Sequence, residues 1–139
     1  MVDPDRVRQL LDALSDYRTS LAELAELPAE RYGGRDAIAG RYLVQVSAQT
    51  CIDLANHVIS SSGWRVPRDY ADAFTVLEEN AVLDAGLAER LRALARLRNL
   101  LVHAYGDVDD SLVHTSLHED LDDLDAFARA IGRLVAKGE

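Results

Sequence analysis

From Val7 to Leu24 the apolar residues recur at steps of three and four: Val7, Leu10, Leu11, Leu14, Tyr17, Leu21 and Leu24. That spacing lays one apolar stripe along one side of an α-helix and does not fit a strand, whose faces alternate every second residue. The same rhythm returns along the chain, each time bracketed by helix punctuation. Asp3 and Pro4 supply an N-cap and a first-turn proline, and Pro28 closes the segment. Gly33-Gly34 opens a second segment through Ile38, Tyr42, Val46, Ile52, Ala55 and Ile59, ended by "SSSG" at 60–63. "VPRDYADAFTVLEEN" predicts a short third helix after Pro67. Asp84 is expected to cap a fourth, through Leu87, Leu91, Leu94, Leu97 and Leu101 to a stop near Gly106. Asp110 or Ser111 is expected to cap a fifth, whose stripe runs from Val113 through Leu117, Leu121, Leu124, Ala128 and Ile131 to Leu134. No strand pattern, repeat or low-complexity stretch competes. The expectation is an all-α, up-and-down five-helix bundle filling one domain, residues 1–139.

Such a bundle needs a core, and 48% hydrophobic residues against 28% charged supply one. No apolar run reaches the length of a membrane span. The amino terminus is charged from its third residue, unlike a secretory signal, so the expected location is cytoplasmic. The single cysteine, Cys51, excludes an intramolecular disulfide and lacks basic neighbours, so it is expected to pack as a small apolar group. The net charge of −9 argues against general affinity for nucleic acid. The distribution qualifies that argument. Between Arg90 and His103 lie four arginines (Arg90, Arg92, Arg96, Arg98) and no acid. An acidic chain thus carries one local cationic stretch, built from guanidinium forks that suit phosphate. The plainer reading of that stretch is a solvated helix face.

Few other residues invite chemistry. His114 and His118 have the i, i+4 spacing of a metal pair, but Thr115 stands where a zincin carries glutamate, so no metal is expected. In "IDLANH", Asp53 and His57 lie one turn apart with Asn56 beside them, able either to orient a site or simply to pair along a helix. "HEDLDDLD" at 118–125 reads as a solvated face, because Leu121 and Leu124 continue the core stripe. Glycine-rich phosphate loops and serine-nucleophile motifs are absent, and no cofactor is implied. "RLRNLLVHAYGDVDD" at 96–110 stands apart, because it sets Arg98, Asn99, His103 and Tyr105 among leucines and valines. Asn99 and His103 share a helix face, whereas Arg98 lies about 140° around from His103 at 100° per residue. Convergence therefore calls for a helix loosened near His103 or for a group from a second chain. Histidine titrates where proton transfer at neutral pH needs it, and arginine holds phosphate and offsets charge developing on it. The two together suffice for attack of an RNA 2′-hydroxyl on the adjacent phosphate, without a metal.

"RNLLVHAY" resembles the Arg-x4-His-x-Tyr signature of HEPN-domain ribonucleases, specifically the HepT toxin family of the HepT/MntA toxin–antitoxin type. The similarity covers nearly the whole chain. "CIDLANHVISSSGWRVPRDYADAFTVLEENAVLD" is similar to that family's second and third helices, and "LRNLLVHAYGDVDDSLVH" to its fourth helix, turn and start of the fifth. The resemblance implies a five-helix HEPN fold, a homodimer with the Arg–His site between protomers, and metal-independent RNA cleavage. It marks Arg98 and His103 as the catalytic pair. Asn99, Asp53 and His57 are candidate supporting residues by their helical spacing. It marks Tyr105 as the acceptor of AMP from an MntA-like nucleotidyltransferase antitoxin, whose transfer silences the toxin. Many relatives carry an acid where this chain has Ala104, which leaves the motif intact but bears on rate and substrate preference. The alternative is a non-catalytic HEPN-fold protein that serves as binding partner or substrate of a nucleotidyltransferase.

Overall fold

A computed structural model describes residues 2–138, apart from the side chain of Tyr105, which lies outside the described part. Five α-helices make up the fold: α1 (Pro4–Ala25), α2 (Gly34–Ser62), α3 (Tyr70–Glu79), α4 (Ala85–His103) and α5 (Asp110–Gly138). Short 3-10 turns at Ala29–Arg31 and Tyr105–Asp107 link α1 to α2 and α4 to α5. Most of the punctuation acts as the sequence leads one to expect. The Asp3 carboxylate accepts from the backbone of Asp5 and Arg6, Asp84 caps α4 through Leu87 N–H, and Gly63 ends α2 at φ 70°. The fifth helix departs from expectation. Asp109 caps it, accepting from Ser111 and Leu112 N–H, whereas the Asp110 carboxylate is drawn away into a bidentate pair with Arg41 at 2.6 and 3.1 Å. The capping carboxylate must lie just ahead of the first free N–H groups, and Asp109 is the acid so placed.

Long-range bonds give the helix directions. Asp3 N–H donates to His57 Nε2, so the start of α1 meets the end of α2. Arg18 of α1 forms a bidentate pair with Asp125 of α5, while His114 at the start of α5 reaches Leu24 C=O at the end of α1. Arg92 of α4 bonds Glu78 of α3, and Arg98 of α4 meets Tyr70 at the start of α3. Neighbours therefore run antiparallel in the pairs α1/α2, α1/α5 and α3/α4, while the Arg41–Asp110 pair aligns the starts of α2 and α5. The helices converge on one core, where Leu21, Val44, Ile52, Leu54, Leu77, Leu91, Leu117 and Leu124 are buried and Phe74 meets Phe127 edge-on at 5.8 Å. The expected stripe of α2 holds only in its second half: Ile52, Ala55 and Ile59 are buried, but Ile38 and Tyr42 are exposed, and Ala37, Gly40, Val44 and Ser47 face the core in their place. Cys51 is buried among them and its thiol pKa is pushed up by desolvation, as suits a packing residue. No helix among the described residues is long and apolar enough to cross a membrane.

One glycine is demanded by packing. Tyr32 lies so close across Gly40 that a Cβ there would overlap its hydroxyl, and the ring stacks on His114 at 4.3 Å. His114 is thereby occupied as a structural side chain. The acidic run at 118–125 is also less solvated than its composition suggests. Asp123 is buried and paired with Arg90, Asp125 is paired with Arg18, and Asp120 Oδ2 is sealed from solvent without a partner. His118, Glu119 and Asp122 stay exposed on the outer side of α5, so the run is solvated on one side and paired on the other.

Candidate active site

The last two turns of α4 and the first turn of α3 border one open cleft of about 480 Å³, lined by Asp69, Tyr70, Arg98, Asn99, Val102 and His103. The α3 side is held by an ion-pair cluster. The Asp72 carboxylate, 7% exposed, accepts from both terminal nitrogens of Arg65 at 2.8 and 3.0 Å and from Arg68 N–H at 2.9 Å. Arg65 also grips Glu79 at 2.8 and 3.1 Å, which ties the link at 63–69 along the length of α3. These bonds hold the Asp72 carboxyl well below the usual carboxylate range, with the Arg65 hydrogen bonds as the largest cause. Asp69 caps α3 through Asp72 N–H at 2.7 Å, so Tyr70 follows on a fixed backbone.

On the α4 side, the Arg98 guanidinium lies over the Tyr70 ring, its carbon 5.0 Å from the centroid, and donates to Asn99 Oδ1 at 3.2 Å. Its Nε is buried without a partner. His103 is the last residue of α4 and is exposed. At Ala104, φ −135° and ψ 50° break the helix, and the chain turns through Tyr105–Asp107. α4 runs unbroken to His103, and Ala104 N–H still reaches Leu100 C=O. Arg98 and His103 border the same opening, with the Arg98 guanidinium settled on Tyr70 and Asn99.

The cationic stretch is smaller than its sequence suggests. Arg90 is paired with Asp123 at 2.8 Å and Arg92 with Glu78 at 3.0 Å, so those two charges are matched within the fold. Arg96 stays exposed, and Arg98 faces the cleft. Asn99 joins the site as the acceptor of Arg98. Asp53 and His57 are not among the residues lining the cleft. Asp53 accepts from Gln49 at 2.8 Å and His57 from Asp3 N–H at 3.1 Å, so the one-turn spacing brings each to a separate partner. Sequence reading missed Asp69, Tyr70 and Val102, since no periodicity links a residue near 70 to one near 98. The available hint was an aromatic directly after a capping aspartate, where a side chain is free to face solvent.

The profile of the family described as "Ribonuclease HepT-like" matches residues 10–131. The chain belongs to the HepT-like ribonuclease family. Membership makes it a ribonuclease by class, as the motif implied. Among curated HepT-like relatives, it is 33% identical over 89 residues to the "mRNA nuclease HepT" of Shewanella oneidensis, covering 63% of this chain and 66% of that one. It is 24% identical over 132 residues to the "tRNA nuclease HepT" of Aphanizomenon flos-aquae, covering 94% of this chain and 90% of that one. The HepT-like fold is shared with a tri-AMPylated Shewanella oneidensis HEPN toxin in complex with MNT antitoxin, at a TM-score of 0.86, 20% identity and coverage of 94% and 99%.

Proposed function

We propose that this HepT-like chain is the RNA-cleaving toxin of a toxin–antitoxin pair, with Arg98 and His103 as its catalytic groups. The observation that carries the reading is that Arg98, Asn99 and His103 border one open cleft. Arg98 binds the scissile phosphate and offsets the charge that builds on its oxygens. His103 takes the proton from the ribose 2′-hydroxyl as that oxygen attacks phosphorus. The bond to the 5′ oxygen breaks, that oxygen collects a proton from water, and the products are a 2′,3′-cyclic phosphate and a 5′-hydroxyl end. The reaction so drawn requires no metal ion. The names of the two nuclease relatives support RNA as the substrate.

The same reading includes a homodimer. Large apolar side chains lie exposed at one end of the bundle: Ile38 (62%) and Tyr42 on the first turns of α2, Val102 on the last turn of α4, and Leu112 (66%) on the first turn of α5. A patch of this kind beside the cleft favours association with a second copy. It also includes control by an MntA-like nucleotidyltransferase, supported by the AMPylated toxin in complex with antitoxin among the structural neighbours. The Tyr105 hydroxyl would attack the α-phosphate of ATP and release pyrophosphate. The added AMP would place negative charge and bulk next to Arg98 and obstruct RNA. Labelled RNA incubated in EDTA with wild type and His103→Ala tests the proposal. Cutting by wild type alone supports it. Equal cutting by both, or none without a divalent metal, refutes it, and binding of a nucleotidyltransferase without any cutting favours the non-catalytic alternative.

A further inference from the structure

The first residue of α3 has no part in the chemistry drawn above, yet it stands in the same cleft. Tyr70 is 39% exposed. Part of its ring carries the Arg98 guanidinium, and the rest opens to the cleft it shares with His103. An aromatic left in water at a helix start contributes little to the core, and the fold goes to some length to hold this one still. Asp69 caps the helix beneath it, and Asp72 locks the preceding link through Arg65 and Arg68.

We propose that Tyr70 is a nucleobase platform: it stacks one unpaired base of the RNA while Arg98, seated against the same ring, engages that nucleotide's phosphate. The inference rests on the ribonuclease reading for its ligand and deepens it by naming the substrate's form. A base within a duplex is already stacked on both faces, so only a single-stranded or loop nucleotide can give one face to a tyrosine. Stacking tolerates any base, because each has a π-face, so the platform selects for unpaired structure rather than for sequence. The guanidinium beneath it reinforces the arrangement, since it fixes ring and phosphate-binding group as one unit. Asp69, the acid in the cleft, turns Oδ1 toward the α3 backbone as its cap.

The test uses binding as well as cleavage, so that it does not depend on turnover. A fluorescein-labelled pyrimidine oligonucleotide, 2′-deoxy throughout to prevent cutting, is titrated with wild type, Tyr70→Phe and Tyr70→Leu, and an abasic unit is walked along it. Tyr70→Phe should bind as wild type does. Tyr70→Leu should bind roughly 5- to 150-fold more weakly, the range for one base–aromatic stack. The decisive comparison is the abasic position that weakens wild type most, because there the Tyr70→Leu penalty should vanish. On cleavable RNA, Tyr70→Leu should raise KM. Equal binding by Tyr70→Leu and wild type overturns the platform. So does a penalty that persists at every abasic position, because the ring would then act only by holding Arg98. A wild type that binds the oligonucleotide but cuts no RNA sinks the ribonuclease reading alone, and the abasic comparison still decides the platform.

Discussion

Replacing Asp120 with asparagine should change how the stability of this protein depends on pH. Asp120 lies on α5 with one carboxylate oxygen sealed from solvent and unpartnered. Burial is the largest cause that pushes its pKa up to about 7 from the ordinary 3.8, and the charges of Asp123 and Glu119 push the same way. The sign follows from proton counting. Between pH 4 and pH 7 the native carboxyl holds a proton that the unfolded chain has already lost, so unfolding releases a proton and stability falls as pH rises. The slope for one proton is about 1.4 kcal/mol per pH unit, so the wild type should lose about 2–3 kcal/mol between pH 5 and pH 8. Asparagine mimics the protonated form and does not titrate, so the variant should lack this loss. Its amide also meets the unpartnered site, at a cost that is the same at both pH values and cancels when the two are compared. Carboxyls pulled down by Arg65, those of Asp72 and Glu79, lose their contribution only as pH falls below the ordinary carboxylate range, outside this window and alike in both proteins. Urea unfolding at fixed protein concentration, at pH 5 and pH 8, measures the difference directly. If wild type and Asp120→Asn change in parallel over that interval, the carboxyl is not held protonated and the reasoning fails.

Three further outcomes are expected. Arg98→Ala and His103→Ala should each lower RNA turnover by ~10²–10⁴, with helical circular dichroism unchanged because both side chains sit at the open cleft. Tyr105→Phe should keep nuclease activity but escape inhibition on co-expression with a cognate nucleotidyltransferase, and intact mass should show AMP on the wild type only; an inactivated wild type without added AMP refutes the modification. Gly40→Ala should lower stability by about 1–3 kcal/mol in chemical unfolding, because Tyr32 must give up its seat and the His114 stack to make room; an unchanged midpoint would show that the ring is free to move.

Sequence by itself determined the helices and the catalytic candidates, because both are properties of local order. A stripe at three and four, an aspartate ahead of it and a glycine behind it are read within a few residues, and Asp3, Gly63 and Asp84 act as read. The Arg-x4-His-x-Tyr spacing is equally local, and the family it points to is the family to which the chain belongs. Tertiary structure decided where charge is spent and what completes the cleft. Arg90 and Arg92 look like a binding surface in sequence but pair with Asp123, 33 residues on, and Glu78, 14 residues back. Asp53 and His57 look like neighbours yet reach different partners. Tyr70 meets Arg98 across 28 residues of chain because α3 and α4 run antiparallel and the Asp72 cluster fixes where α3 begins. The physical reason is that helix formation depends on residues a turn apart, whereas an ion pair, a buried carboxyl or a stacked ring depends on which faces the packed core turns toward one another.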